Sequence, residues 1–510
     1  MVMPIEYSAD KKWIRLWDDD NKEWSEIRSW DAPDWVRRWA AMDLEEKRNN
    51  RPKLRCVMGG GYYFRPGDGD DLLDDFRLVN PEYIKAARMR KKGKRMPMPD
   101  RWVEAFRRLP ASHPWGDGAI LPRGADLSAY KLVGSDARSF PEPEYNGADP
   151  FETGDQQYRL REYQRDAVEA CREHEQGVVR APCGAGKTEI GVGLIAALDT
   201  KALVLVHTLD LAQQWVERLE SRYPDLDVTM VGDGENDSSG RVVIATIQTL
   251  ARWRWEETYA LGKQFGLVIL DEAHHAPART FTDVLCAMPA RYRIGLTATP
   301  ERDDGLTDML WWNFGKEIFA ISHSKLEKAG HIVTPQVVWL DSMWEPEDTE
   351  LPWASIMSGL VSCELRNKAL FDITANAVGQ GRTVLFLSER VAHCTSMAEW
   401  FNDNGIEAAA LVGSLSQKKR TDLLKDARDG RFKVVTATVL ADEGLDLPNF
   451  DTLVLATPTR ALGRVQQRIG RIMRPLDGKQ DPLVYDMRDA WGPLRGQARK
   501  RESFYRKLLQ

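Results

Sequence analysis

VVRAPCGAGKTEI, residues 178 to 190, passes from an apolar pair through Gly184, Ala185, Gly186, Lys187 and Thr188 into a stretch with helical character. A strand, a glycine-rich turn and a helix N-terminus in that order aim successive backbone N–H groups at one anion, and glycine is needed where a side chain would block the approach. Gly184 and Gly186 sit nearest that approach. Lys187 is placed to reach the β- and γ-phosphates of a nucleotide such as ATP, and Thr188 to set its hydroxyl on Mg2+. Ala181 takes the outermost position, where a small residue suffices. The competing reading is a glycine-rich turn before an ordinary helix.

The next signal is GLVILDEAHH, 266 to 275, which puts Asp271 and Glu272 directly after a buried-type strand. In parallel sheets ligands bind at the carboxyl ends of strands. There Asp271 can hold Mg2+, usually through water, and Glu272 can orient and deprotonate the water that attacks a γ-phosphate. The plainer alternative is an acidic strand end capping the next helix. Further on, QQRIGRIMRP at 466 to 475 carries Arg471 and Arg474 three apart, hence on one face of a helix. They could reach a nucleotide only across an interdomain cleft, as arginine fingers that stabilise charge on the transferring phosphoryl group. Alone, such a helix is more often a solvated face.

Around these signals the chain has a rhythm. Apolar runs at 202 to 206, 242 to 246, 266 to 270 and 293 to 297 alternate with helix-like stretches such as 189 to 198 and 211 to 220. Continuous apolar strands between helices suit a parallel sheet covered on both faces. The rhythm pauses around 306 to 331 and returns at 383 to 387, 408 to 412, 433 to 438 and 452 to 457. We therefore expect an α/β protein with two tandem doubly wound parallel-sheet domains, over 151–328 (nucleotide-binding) and 329–490, then a basic tail at 491–510. Residues 1–150 differ from both and are expected to form an accessory α+β domain.

At 510 residues the chain is long enough for two to four domains. Its net charge of -6 excludes a polycation that coats nucleic acid by bulk charge, while leaving room for a local basic channel. Six scattered cysteines without a Cys-x-x-Cys pair point to reduced thiols and no zinc site. The N-terminus, MVMPIEYSADKK, lacks the apolar core of a signal peptide and no stretch approaches a membrane span, so a cytoplasmic protein is expected.

APCGAGKT, LDEAH, LTATP (296 to 300), TVLFLSER (383 to 390), TATVLADEGLDLP (436 to 448) and QRIGRIMR (467 to 474) together resemble motifs I to VI of superfamily 2 helicases, in order. The resemblance covers about residues 155 to 490 and implies that the two parallel-sheet domains are RecA-like, the first of them ATP-binding. DEAH with TATPERDDG looks closest to the group holding XPB-type and phage UvsW-like branched-DNA helicases, which favours DNA over RNA. It implies further roles. In LREYQ, Gln164 reads the adenine edge with Arg161 or Tyr163 nearby, and Gly444 and Asp446 lie on the nucleotide side of motif V. Thr297 and Thr299 link hydrolysis to domain movement, and His274 couples the ATP site to Gln467. One strand of nucleic acid would be gripped through its sugar-phosphate backbone at Thr208, Thr246, Ser388, Arg390, Gly413 and Thr436. Hydroxyls and amides there suit phosphate oxygens and carry no sequence information. Buried hydroxyls at strand ends are also often structural.

Three segments lie outside those motifs. Lys85 to Arg95 holds seven basic residues (Lys91, Lys92, Lys94 and Arg95 among them) and no acid, with Tyr83 and Trp102 nearby. Such a block can neutralise phosphates with salt-sensitive affinity, or it can be a solvated flexible loop. Arg495 to Lys507, with six basic residues against Glu502, could extend the same track or form an exposed helix end. Six of the eighteen tryptophans fall between Trp13 and Trp39 and read as an aromatic core, with KKWIRLWDDDNKEWSEI as a hairpin, PDWVRRWAAMDLEEK as a helix, GGGYYF and RPGDGDD as turns, and Pro-rich linkers at 97 to 99 and 141 to 143. The reading is an ATP-dependent DNA helicase or translocase that remodels branched DNA in replication, recombination or repair. Its polarity, 3′ to 5′, is implied by the resemblance alone. The alternatives are a motor subunit of a restriction or antiviral defence complex, whose N-terminal domain docks a protein partner, and a nucleic-acid-stimulated ATPase switch.

Overall fold

The computed structural model describes residues 5–7, 13–18, 23–28, 53–64, 70–91, 96–109, 118–142, 149–155, 158–182, 184–232, 234–273, 278–301, 305–438, 447–458, 469, 472, 476 and 478–508. Among the described residues the chain forms two large parallel sheets flanked by helices and a smaller accessory body.

The apolar five-residue runs become strands because both their faces are covered. Ala202–Val206 and Val242–Thr246 are buried at every position. The first sheet has the order Glu235–Asn236, Val228–Gly232, Val242–Thr246, Ala202–Val206, Leu267–Leu270, Tyr292–Thr297, Gln176–Arg180 and Glu317–Ala320. All neighbours are parallel except the short Glu235–Asn236 edge. This order sets the carboxyl ends of Leu267–Leu270, Tyr292–Thr297 and Gln176–Arg180 side by side, and so the chain segments that follow them.

The second sheet is parallel throughout, in the order Gln336–Ser342, Leu483–Asp489, Thr452–Leu455, Val384–Ser388, Val434–Thr438 and Ala408–Leu411. The edge strand Gln336–Ser342 and its neighbour Leu483–Asp489 do not stand out as apolar runs, since each carries polar positions at intervals. The pause at 306 to 331 contains helix Asp308–Phe314 and the exposed-edge strand Glu317–Ala320, which completes the first sheet.

The segment read as a basic tail is an integral helix, Gly492–Leu508. Arg501 is buried against Asp486, with Nε–Oδ2 at 2.8 Å and Nη2–Oδ1 at 2.9 Å, and the Tyr505 hydroxyl donates to the same carboxylate at 2.7 Å. A buried ion pair of this kind anchors the helix, because removing one partner strands a charge in the interior.

In the accessory body the hairpin reading agrees with strands Trp13–Asp18 and Glu23–Arg28, which pair antiparallel from Trp13↔Arg28 to Asp18↔Glu23. GGGYYF, read as a turn, is instead strand Gly61–Phe64 after the turn at Gly59 and Gly60. It sits in a five-stranded sheet of order Lys131–Asp136, Lys53–Met58, Gly61–Phe64, Gly118–Pro122 and Arg107–Leu109. The helix read at 33 to 47 and the early tryptophan side chains lie outside the described residues.

This body is fused to the first sheet domain. Leu306 and Met309 belong to the accessory core with Leu54, Phe64 and Phe76. Arg123, buried, donates to Gln176 and to the carbonyls of Ala290 and Arg291. Arg293, fully buried, donates from Nη2 to Gly60 O at 2.6 Å, Met288 O at 2.7 Å and Leu285 O at 2.9 Å. A Cβ on Gly60 would overlap the Cys286 carbonyl, so only glycine permits this approach.

Candidate nucleotide site and nucleic-acid face

The turn after Gln176–Arg180 needs glycine for its backbone. Gly184 has φ 85° and Gly186 φ 74°, both left-handed, and Gly186 caps helix Lys187–Leu198. A Cβ at Gly186 would also stand 2.6 Å from Gln164 Nε2. Helix Glu162–His174 props the turn from below. The Tyr163 hydroxyl donates to Ala185 O at 2.7 Å and Gln164 Nε2 to the same oxygen at 3.1 Å. Gln164 Oε1 in turn accepts from the Arg161 N–H at 2.9 Å. Gln164 is therefore neither solvent-facing nor free to read a base here. Its Nε2 holds the loop, and its Oε1 caps the head of its own helix. Arg161, at the head of the same helix, reaches the Tyr163 hydroxyl at 3.4 Å.

Lys187 and Glu272 meet at the sheet's carboxyl edge, Nζ–Oε1 3.4 Å, both largely shielded. Glu272 has φ 47°, a left-handed conformation that non-glycine residues seldom adopt. Its backbone N–H donates to Asp271 Oδ1 at 2.9 Å, and Trp215 Nε1 donates to Asp271 Oδ2 at 2.9 Å. Burial pushes the Asp271 carboxyl above the ordinary range and the Glu272 charge adds to the rise, while Lys187 and the Trp215 N–H oppose it. The neighbouring strand ties in both segments. Ala181 N–H donates to Thr297 O and Ala273 N–H to Leu296 O, each at 3.0 Å. Thr297 Oγ1 donates to Thr299 O at 2.9 Å. A shift at any one of the three turns thus reaches the other two through single hydrogen bonds.

The residues suit a nucleotide and its divalent cation. The cradle excludes any Cβ at Gly186, a lysine and a threonine open the helix, and two carboxylates face them. Lys187 would take phosphate charge and Thr188 and Asp271 would hold Mg2+, whose positive charge screens the phosphates. Glu272 would hold the attacking water and accept its proton.

The second sheet domain closes over this site. Tyr163, Ala181 and Ala185 share one buried cluster with Leu385, Leu411 and Leu453 of the second sheet, and Tyr163 lies 5.5 Å from His331 ring to ring. Arg420 pairs with Asp210 at 2.8 Å across the cleft. His274, Gly444, Asp446, Gln467, Arg471 and Arg474 lie outside the described residues.

On the nucleic-acid side the expected positions divide. Gly413 is exposed in the turn after Ala408–Leu411, and Arg390 is half-buried with Nη2 on Ala354 O at 3.0 Å. Thr208 caps helix Leu209–Arg222, its hydroxyl accepting from Leu211 N–H. Thr246 is buried and shares its hydroxyl with Thr249 at 2.7 Å. Two expectations are corrected. Thr436 is fully buried mid-strand with its hydroxyl on Cys394 O at 2.8 Å. Ser388 is 1% exposed and its hydroxyl is 2.9 Å from His393 Nδ1. Both hydroxyls serve the core, because the strands carrying them are covered on both faces. Sequence reading placed Tyr163 beside the site but not its tie to Ala185, and it missed Trp215, whose partner Asp271 is remote in sequence, and the Asp210–Arg420 pair.

Fold and site together define a nucleotide-hydrolysing motor with paired parallel-sheet domains. Residues 157–302 match the family model described as type III restriction enzyme, res subunit, and 366–475 match the helicase conserved C-terminal domain. The chain is 26% identical to DNA 3'-5' translocase XPB2 of Sulfurisphaera tokodaii over 395 residues, 69% of this chain and 87% of that protein. Probable helicase D10 of Escherichia phage T5 is 26% identical over 360 residues, 70% of this chain and 77% of that one. Putative ATP-dependent RNA helicase L396 of Acanthamoeba polyphaga mimivirus is 24% identical over 350 residues, 67% and 65%. The chain carries the paired domains of superfamily 2 helicases and is an ATP-hydrolysing helicase. Among the described residues no helix is long and apolar enough to cross a membrane.

Proposed function

We propose that this protein is a DNA helicase or translocase of the DEAH-type XPB and UvsW-like group, which uses ATP and Mg2+ to move along DNA and remodel branched structures in replication, recombination or repair. The observation that carries the reading is the Lys187–Glu272 pair, set by the two strands that flank Tyr292–Thr297, whose Thr297 and Leu296 carbonyls accept from the turn on either side. Residues 151–328 bind the nucleotide and 329–490 supply Arg471, Arg474 and Gln467 from across the cleft, with Gly444 and Asp446 beside the phosphates and His274 relaying between them. Thr208, Thr246, Arg390 and Gly413 lie along the strand path. Residues 1–150 choose the substrate. The 3′ to 5′ direction and DNA rather than RNA follow the names of the XPB-type relatives; the mimivirus relative carries an RNA name, so both acids belong in the test.

A second reading is a motor that moves on duplex for a partner nuclease. The restriction-subunit description of the model matching 157–302 favours it. The test is ATP hydrolysis with single-stranded, duplex, forked and four-way-junction DNA and with RNA, alongside strand displacement. Forked or junction DNA should stimulate most, with displacement. Glu272→Gln should lower turnover by about 10² to 10⁴ while retaining nucleotide binding. Stimulation by plain duplex without displacement would favour the second reading. RNA-only stimulation would overturn the DNA assignment.

A further inference from the structure

The first part of the basic segment, Lys85 to Lys91, is a built surface, while Lys92, Lys94 and Arg95 lie outside the described residues. Lys85, Arg88, Arg90 and Lys91 belong to helix Pro81–Lys91, which buries Ala86 and leaves Ile84, Arg88 and Lys91 in succession on one exposed face. A short hairpin, Arg77–Val79 with Trp102–Glu104, adjoins it. Leu78 and Val103 face the accessory core, so their neighbours Val79 and Trp102, directly paired, share the outer face. They are 42% and 43% exposed, and Ile84 is 39% exposed.

The hairpin and helix are fixed to each other. Asn80 N–H donates to Arg101 O at 2.9 Å, its Nδ2 to Asp100 O at 2.8 Å, and its side-chain oxygen accepts from Glu82 N–H at 3.0 Å. At the far end Arg90 Nε donates to Met96 O at 2.9 Å. The Arg101 guanidinium lies 4.9 Å from the Trp102 ring centroid and holds the indole in place.

An exposed indole beside a run of cations matches a ligand with flat apolar rings strung on an anionic backbone. The rings must be unpaired to reach the indole face, since a duplex keeps its bases stacked. We propose that this face binds single-stranded DNA, with Trp102 stacking on a base and Lys85, Arg88 and Lys91 meeting the phosphates. The proposal rests on the reading of the protein as a DNA motor and adds to it a second contact, outside the two sheet domains. It would hold the strand that a moving motor has released or displaced.

The test uses the full chain and a fluorescent oligothymidylate, with affinity measured by anisotropy across a salt series. Trp102→Ala should weaken binding roughly tenfold and Trp102→Phe should keep most of it. The triple variant Lys85→Ala, Arg88→Ala, Lys91→Ala should flatten the slope of log affinity against log salt by about 2. ATP hydrolysis without DNA should be unchanged in each, because these residues are remote from the nucleotide site. Wild-type affinity and slope in all variants, with wild-type ATPase still stimulated by DNA, would overturn this proposal alone. A wild-type ATPase indifferent to every DNA would overturn both it and the reading it rests on.

Discussion

Asp271 shows how far one side chain's behaviour depends on its immediate shell. Its carboxyl is pushed up first by burial and then by the Glu272 charge, and the Trp215 N–H is among the contacts that keep it ionised. Holding Mg2+ requires the ionised form, so activity falls as pH drops through this group's folded-state value. Trp215→Phe removes a donor that favours the charged form, which raises that value further. The acid limb of kcat/KM for ATP should therefore move to higher pH, by about half to one unit, with the alkaline limb unchanged. An acid limb that stays put or moves down would show that another group sets it.

At the scale of elements, helix Val391–Asp403 is docked on strand Val384–Ser388 through His393. Asn367 donates from Nδ2 to Val361 O, so its Oδ1 faces His393 Nε2 as an acceptor, at 3.1 Å. The ring proton thus sits on Nε2, and Nδ1 accepts from the Ser388 hydroxyl. Burial, reinforced by the Arg366 charge, pushes the ring's pKa down to about 4. Because the folded state prefers the neutral ring, the stabilisation is complete above the unfolded value near 6.5 and is lost as pH falls from there toward 4. Thermal unfolding of the second sheet domain should fall between pH 6.5 and 4, and His393→Gln should flatten that dependence. An equal slope in the variant would place the proton uptake elsewhere. Helix Gly492–Leu508 makes the same point in different chemistry: its composition suggests a basic tail or an exposed helix end, yet Arg501 is committed to Asp486.

At the scale of the molecule, the accessory body and the first sheet domain share a core. Removing residues 1–150 would uncover Leu306 and Met309 and leave Arg293 without its Gly60 contact, so truncation would perturb the motor as well as substrate choice. A sharper probe is Arg293→Met. Burial pushes this guanidinium down to about 10, and its ties run only to carbonyls from both bodies. The variant should lower Tm by several degrees, since each buried carbonyl left unpartnered costs about 1 to 3 kcal/mol. It should also speed hydrogen exchange at the Gly59–Gly60 turn. Unchanged Tm and exchange would mean that Arg123 and the apolar contacts hold the junction without Arg293.

The tandem parallel sheets were legible in the sequence, because a strand covered on both faces must be apolar throughout and the runs at 202 to 206 and 242 to 246 are. The glycines, Lys187 and the Asp271–Glu272 pair were legible too, because a phosphate cradle and a strand-end carboxylate pair are local in sequence. What only the tertiary structure decided are contacts between segments far apart along the chain. Among them are the tie of Gln164 to Ala185, the core hydrogen bonds of the Thr436 and Ser388 hydroxyls, and the anchoring of the C-terminal helix through Arg501. Residue type names the hydrogen bonds a side chain can make, but the packing of the elements around it selects which partner it meets.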